Sequence, residues 1–321
     1  MKARRVGIWW LTLSVGVVLA IVAGIALYGQ TVLTGASSDA ATVTASTTNG
    51  AAANVAAADR ARSAAAAAAA VVAEAAAREL AGRKAALTAS LDTLAAANAA
   101  PDFAVAVLDH QTGTSYTFGA DEAFETASVV KVEILAALLL QARADGRSLT
   151  ANEQSLAKVM IRQSDNDAAT ALWWKIGEAS GLSDANDTLG LTETVPGTGG
   201  YWGLTKTTVS DQVKLLDAIA DPTGPLGDSN QLILDLMGSV VDSQDWGVSA
   251  ASGPGESTAL KNGWVTLDSQ GGQWAVNSVG RITGTDTDVT LAVMTRGHST
   301  LSLGIAFVEN ITKLTRTNLA W

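Results

Sequence analysis

The sequence predicts an α+β fold over residues 101–321: an antiparallel sheet flanked by helices, with an all-α subdomain inserted between the first and last strands. Three observations carry this reading. Strand-like runs at 103–108 and 114–118 flank a Thr-Gly turn signal. Helical patterns then dominate from residue 128 to about 242, broken by a Gly- and Thr-rich loop at 188–206. Three more strand-like runs, 257–266, 273–282 and 288–295, precede a closing helix over 300–318.

Taken in order, the N-terminal element is a candidate membrane helix. Lys2, Arg4 and Arg5 precede an uncharged stretch whose apolar part runs from Gly7 to Tyr28, with Trp9, Trp10 and Tyr28 as interface aromatics. A cleaved signal peptide is the alternative, but the apolar run is longer than the usual h-region. Residues 1–30 are therefore expected to form a cytoplasmic tip and a single-pass signal anchor, with the rest extracytoplasmic. Residues 31–100 follow as a linker and stalk. The first part is Ser, Thr, Ala and Gly, which cannot bury a core. From Asn54 to Asn98 alanine dominates, with Glu74–Arg78 and Glu79–Arg83 at i,i+4 spacing, which predicts a long helix. Pro101 ends it. Within the domain, 128–143 is almost wholly apolar and reads as a buried helix; 151–162, 167–180, 208–220 and 228–242 read as further helices.

Composition excludes several classes. Hydrophobic residues make up 48% and charged residues 16%, too apolar for a disordered chain. The net charge of −10 argues against a nucleic-acid partner. With no cysteine there is no thiolate metal site, cysteine nucleophile or lipidated cysteine. Only His110 and His298 are present, so a multi-histidine metal centre is not expected, and neither is a cofactor.

One charged residue interrupts the buried helix. Ser128-Val129-Val130-Lys131 puts a hydroxyl and an amine at i and i+3, on one helix face. Apolar neighbours disfavour the ammonium form, and a neutral lysine beside a serine can take its proton. The alternative is an N-cap serine with a lysine reaching to solvent. The pattern recurs at Ser155 and Lys158, where the neighbours are those of an ordinary surface helix.

Two further motifs follow in order. Ser164-Asp165-Asn166 falls between two helices, where it could also be only a cap, and Lys261-Asn262-Gly263 falls on the first late strand, where Asn-Gly could also be only a turn. Ser-x-x-Lys, Ser-Asp-Asn and Lys-x-Gly in this order resemble the active site of class A β-lactamases and the related penicillin-binding proteins, over residues 101–321. The resemblance implies catalytic roles for Ser128 (nucleophile), Lys131 (base), Ser164 (proton relay to the leaving nitrogen) and Lys261 (positive charge near the substrate carboxylate). It implies substrate contacts for Asn166, Asn262, Gly263, Trp264 and Arg281. Gly263 would admit the substrate to the strand, the N–H groups of Ser128 and Trp264 would form an oxyanion hole, and Arg281 would meet a carboxylate or be a plain surface charge. The substrate would be a β-lactam or a D-alanyl peptide.

The sequence also departs from the family. Asn262 stands where Thr or Ser is usual. The loop that in β-lactamases carries a deacylating glutamate, followed by an asparagine, here offers only Glu193 and no asparagine. The first two motifs lie close together, which predicts a trimmed helical subdomain. Three functions compete: β-lactam hydrolysis, a penicillin-binding-type peptidase or hydrolase acting on cell-wall peptides with slow β-lactam deacylation, and a non-catalytic cell-surface binding domain.

Overall fold

The computed structural model describes residues 47–97, 101–119 and 122–321. The expected membrane anchor at 7–28 lies outside these residues. Among the described residues no helix is long and apolar enough to cross a membrane.

Alanine gives helix α1 its length, Thr47–Ala95. The Glu74–Arg78 pair forms as spaced, 2.6 Å apart. The helix starts earlier than expected, and its last turns are not stalk. Residues Leu80–Trp321 make one compact unit. Leu87 and Leu91, at i,i+4, are fully buried and pack in a cluster with Tyr116 and Leu319. Thr88 Oγ1 lies 2.9 Å from Tyr116 Oη, and Arg83 Nη1 donates to Leu319 O at 3.1 Å. The unit thus reaches back past the expected boundary at 101. Emptying each leucine site is worth roughly 2–5 kcal/mol. A chain shortened to begin at residue 101 is therefore expected to unfold at markedly lower urea than one beginning at residue 80. Equal midpoints by tryptophan fluorescence would show that these turns contribute nothing.

Strands β1 (Asp102–Asp109), β2 (Thr114–Phe118), β5 (Ser257–Leu267), β6 (Gln273–Thr283) and β7 (Asp288–Arg296) form an antiparallel sheet in the order β2-β1-β7-β6-β5. Period-2 alternation sorts its side chains. In β1, Phe103, Val105 and Val107 face one core, while Ala104 and Ala106 face the other. The large residues meet α1 and the closing helix α8 (Leu301–Leu319), which contributes Val308 and Ile311. The small ones make room for the helical subdomain.

That subdomain holds α2 (Val130–Ala144), α3 (Ala151–Arg162), α4 (Asn166–Ile176), α5 (Glu178–Leu189), α6 (Val209–Ala220) and α7 (Asn230–Met237). Thr150 and Glu153 cap α3 reciprocally. Ser155 and Lys158 sit exposed on α3, as their polar neighbours foretold. The single helix expected at 167–180 is instead two, because Gly177 turns left-handed (φ 91°) and ends α4. A two-stranded ribbon, β3 (Phe124–Glu125) with β4 (Lys206–Thr207), ties the 190–207 loop to the segment before Ser128. Thr126 N donates to Thr205 O (2.8 Å) just beyond it.

Candidate active site

Ser128 is not the N-cap of α2. It lies within a 3₁₀ turn, Ala127–Val129, that leads into the helix, and the cap positions of that turn and of α2 carry no side-chain cap bond. Ala127 is left-handed (φ 47°), which swings the chain so that Ser128 is half-buried while Val129 and Val130 go into the core. Two residues on neighbouring strands hold this turn. Asn277 on β6 is buried, and its Nδ2 donates to Glu125 O (2.8 Å) and Thr126 O (3.3 Å), while its Oδ1 accepts from Thr295 N (3.0 Å). Gly263, paired with Asn277 across β5 and β6, lies against the turn's backbone. A Cβ there would be 2.6 Å from Thr126 O and 2.8 Å from Ser128 N. The glycine makes room for the protein's own turn around Ser128, whereas the sequence had suggested room for substrate.

Lys131 follows on α2 and is fully buried. Its Nζ donates to Ser164 O (2.5 Å), Asn166 Oδ1 (2.7 Å) and Ser164 Oγ (3.2 Å). Lys261, on the same face of β5 as Gly263, is also buried and donates to Ser164 Oγ (2.9 Å) and Asn262 O (2.8 Å). One hydroxyl oxygen therefore stands between two amines. Burial brings the Lys131 pKa down to about 7, against a smaller opposing pull from Asp165. Burial also pushes Lys261 well below the usual lysine range, and the nearby Lys131 charge adds to it. A proton can be held or passed within this trio at neutral pH.

The Ser-Asp-Asn loop divides its labour. Asp165 is an ordinary N-cap, its Oδ1 accepting from Ala168 N (2.7 Å), as the capping alternative had it. Ser164 is left-handed (φ 59°), and its hydroxyl and carbonyl both reach Lys131. Sequence motifs thus bring Lys131, Ser164, Asn166 and Lys261 together, with Ser128 seated beside Gly263 on the same strand face.

Other expected residues do not join them. Asn262 alternates to the far face of β5, fully buried, and donates to Gln244 O (2.7 Å) and Trp246 O (3.1 Å). The strand's period of two removes it from substrate reach. The Trp264 indole also faces that side, against Trp246 at 6.0 Å, which leaves only its backbone near the turn. Arg281 is engaged by Asp288 through two bonds, 2.6 and 2.7 Å. It pairs with Ala259, four residues along β5 from Gly263, about 13 Å away at the usual strand rise. Glu193 has its backbone N held by Asp211 Oδ2 (2.7 Å) and its side chain exposed, and the carboxylate whose charge acts on Lys131 is Asp165 instead.

The residue of the 190–207 loop that does reach the site was not foreseen. Trp202 places its ring 4.9 Å from Lys131 Nζ, and its Nε1 donates to Thr170 Oγ1 on α4 (3.2 Å). An aromatic residue amid the small residues of this loop was the available signal. Asn277 gave a fainter one, a polar residue inside an apolar strand.

Glu133, one turn from the site and facing the core, is fully buried. Burial pushes its carboxyl up to about 8; Asn186 opposes the shift and Asp211 adds to it. The folded pKa exceeds the ordinary 4.5, so the unfolded chain releases this proton first, and stability falls as pH rises from about 4.5 to about 8. Glu133→Gln is expected to flatten that slope, because the amide has no proton to release over this range. Urea titrations from pH 5 to 8 check this; parallel curves for the two proteins would contradict it.

Comparison with known proteins places this geometry. Residues 86–154 and 150–319 match the family described as "Beta-lactamase enzyme family". A class A β-lactamase from Bacteroides cellulosilyticus superposes with a TM-score of 0.63 at 18% identity, covering 74% of this chain and 98% of that one. A variant of PBP-A, in an acyl-enzyme complex with penicillin G, gives a TM-score of 0.62 at 19% identity over 73% of this chain and 96% of that one. These two likenesses establish the fold. In sequence, the "Putative lipoprotein LppW" of Mycobacterium tuberculosis is 31% identical over 185 residues, 56% of this chain. The match spans 58% of that relative's length.

Proposed function

The chain belongs to the beta-lactamase enzyme family, and from that membership we propose that it is a serine hydrolase forming a long-lived acyl-enzyme on Ser128. The observation that carries the reading is the Ser164 hydroxyl shared by two buried amines. In this reaction neutral Lys131 takes the Ser128 proton as Oγ bonds to the substrate carbonyl carbon. Ser164 passes a proton to the nitrogen as the C–N bond breaks, and the acyl group stays on Ser128 as an ester. The backbone N–H groups of Ser128 and Trp264 receive the oxyanion, and Lys261 attracts the substrate carboxylate.

Release of that ester needs a base for water. The one acid of the 188–206 loop, Glu193, has its side chain exposed on the surface, so we favour penicillin-binding-type acylation with slow turnover over efficient β-lactam hydrolysis. The substrates are β-lactams and D-alanyl-type peptides. The location we assign is the cell envelope, by analogy with the lipoprotein relative. This chain has no cysteine to carry a lipid, so the N-terminal apolar segment would serve as the anchor.

The test is to incubate the full chain with a chromogenic cephalosporin while following turnover and intact mass. The expected result is a stoichiometric burst, a persistent adduct on Ser128, and no adduct on Ser128→Ala. Sustained turnover would favour β-lactam hydrolysis. Absence of any adduct, with parent and Ser128→Ala alike toward β-lactams and D-alanyl peptides, favours the non-catalytic binding domain.

A further inference from the structure

We propose that Trp202 is a positioning residue that covers the Lys131 amine, excluding water from it and thereby slowing release of the acyl group from Ser128. The proposal rests on the acylation reading above and assigns a role to a loop residue outside the three motifs. Its indole lies 4.9 Å from Nζ. The ring is fixed from outside by the 3.2 Å bond to Thr170 and carried by a short 3₁₀ turn, Trp202–Leu204. That turn rests on the nucleophile turn, since a Cβ on Gly203 would lie 3.7 Å from Ala127 Cα. In turn, Thr205 O accepts from Thr126 N, which ties the loop that carries the cover to the turn that carries Ser128.

The cover adds to the packing that leaves the Lys131 amine fully buried. The other walls around Nζ are polar: Ser164 and Asn166 accept from it, Asp165 offers a negative charge, and Lys261 shares its hydroxyl partner. Glu125 and Lys206, 3.7 Å apart, flank the ribbon beneath the loop. Against these polar partners, Trp202 sets an aromatic face over Nζ. It stands over the amine on the side where water would otherwise reach it, and an indole ring cannot accept the proton that an attacking water must give up. Removing it exposes the amine, which raises its proton affinity, and admits water to the ester.

The experiment uses the full chain and the variants Trp202→Ala, Trp202→Phe and Thr170→Val. Three quantities are read: the pH of half-maximal Ser128 acylation, the rate of adduct loss, and labelling of Lys131 by trinitrobenzenesulfonate, located by peptide mass. Lys261, as fully buried as Lys131, serves as the internal control. Trp202→Ala is expected to move the acylation midpoint upward by about one pH unit and to speed adduct loss by about tenfold. It should also expose Lys131, but not Lys261, to labelling. Trp202→Phe should stay near the parent, and Thr170→Val should fall between. A folded Trp202→Ala with unchanged labelling and midpoint overturns the proposal. If the parent forms no adduct, the acylation reading fails by itself, and Lys131 labelling still decides whether Trp202 is a cover. If Trp202→Ala does not fold, the decision passes to Thr170→Val, and parent-like labelling there counts against the proposal.

Discussion

Lys131→Met is expected to slow Ser128 acylation by about a thousandfold, the middle of the range for loss of a positioned general base. Methionine keeps the length and apolar stem of the side chain in a fully buried site, so the fold has little reason to change. What disappears is the amine that donates to Ser164 O, Ser164 Oγ and Asn166 Oδ1. The parent should show acylation rising with pH through about 7, as Lys131 loses its proton and becomes able to accept one from Ser128. The variant should lose that limb altogether. Stopped-flow acylation from pH 5 to 9 reads both effects. A variant within tenfold of the parent, with the same rising limb, would assign the base to another group.

Gly263→Ala is expected to cost at least about a hundredfold in acylation, the penalty for misplacing a reacting group by an ångström. The added methyl would meet Thr126 O at 2.6 Å, Ser128 N at 2.8 Å and Val129 N at 2.9 Å. These are backbone atoms and cannot rotate away. Thr126 O already accepts from Val129 N and Asn277 Nδ2, so any retreat disturbs the bonds that set the turn. The expected loss of stability is modest, about 1–3 kcal/mol, because the turn can lift without emptying the core. Acylation rates set beside thermal midpoints separate the two effects. Parent-like acylation in Gly263→Ala would mean that the contact does not position Ser128.

The strands and most helices were legible because each repeats a simple period over enough residues. β1 reads as a short apolar run and α2 as a long one, and both lie within two residues of their expected ends. The break at Gly177 was missed because a glycine inside a helical pattern has two readings, and only the tertiary fit selects the left-handed one. Lys131, Ser164, Asn166 and Lys261 were legible as motifs because their chemistry is carried by local spacing. The places that Asn262 and Arg281 take in the fold were not read from the sequence, for two different reasons. The face that Asn262 takes follows from strand parity, which could have been counted from Lys261. The partner of Arg281, Asp288, comes from the neighbouring strand, and no local pattern names it. Trp202 and Asn277 act across elements far apart in sequence, so only the assembled fold shows them.

Ala127 and Ser164 hold left-handed backbone angles that favour glycine. Each such angle on a side-chain-bearing residue stores about 1 kcal/mol or more of strain, which the surrounding packing must overcome. Both stand at the junctions that aim the two serines of the site. The protein is therefore less stable than its own backbone would permit, and the deficit is concentrated where Ser128 and Ser164 are presented. Glycine at 127 would relax the chain and widen the range of directions in which the Ser128 hydroxyl can point, and glycine at 164 would relax the chain but remove that residue's hydroxyl altogether. Stability and aim oppose each other at those two residues, so a search for stabilising substitutions would be drawn to the positions where the site can least accept them.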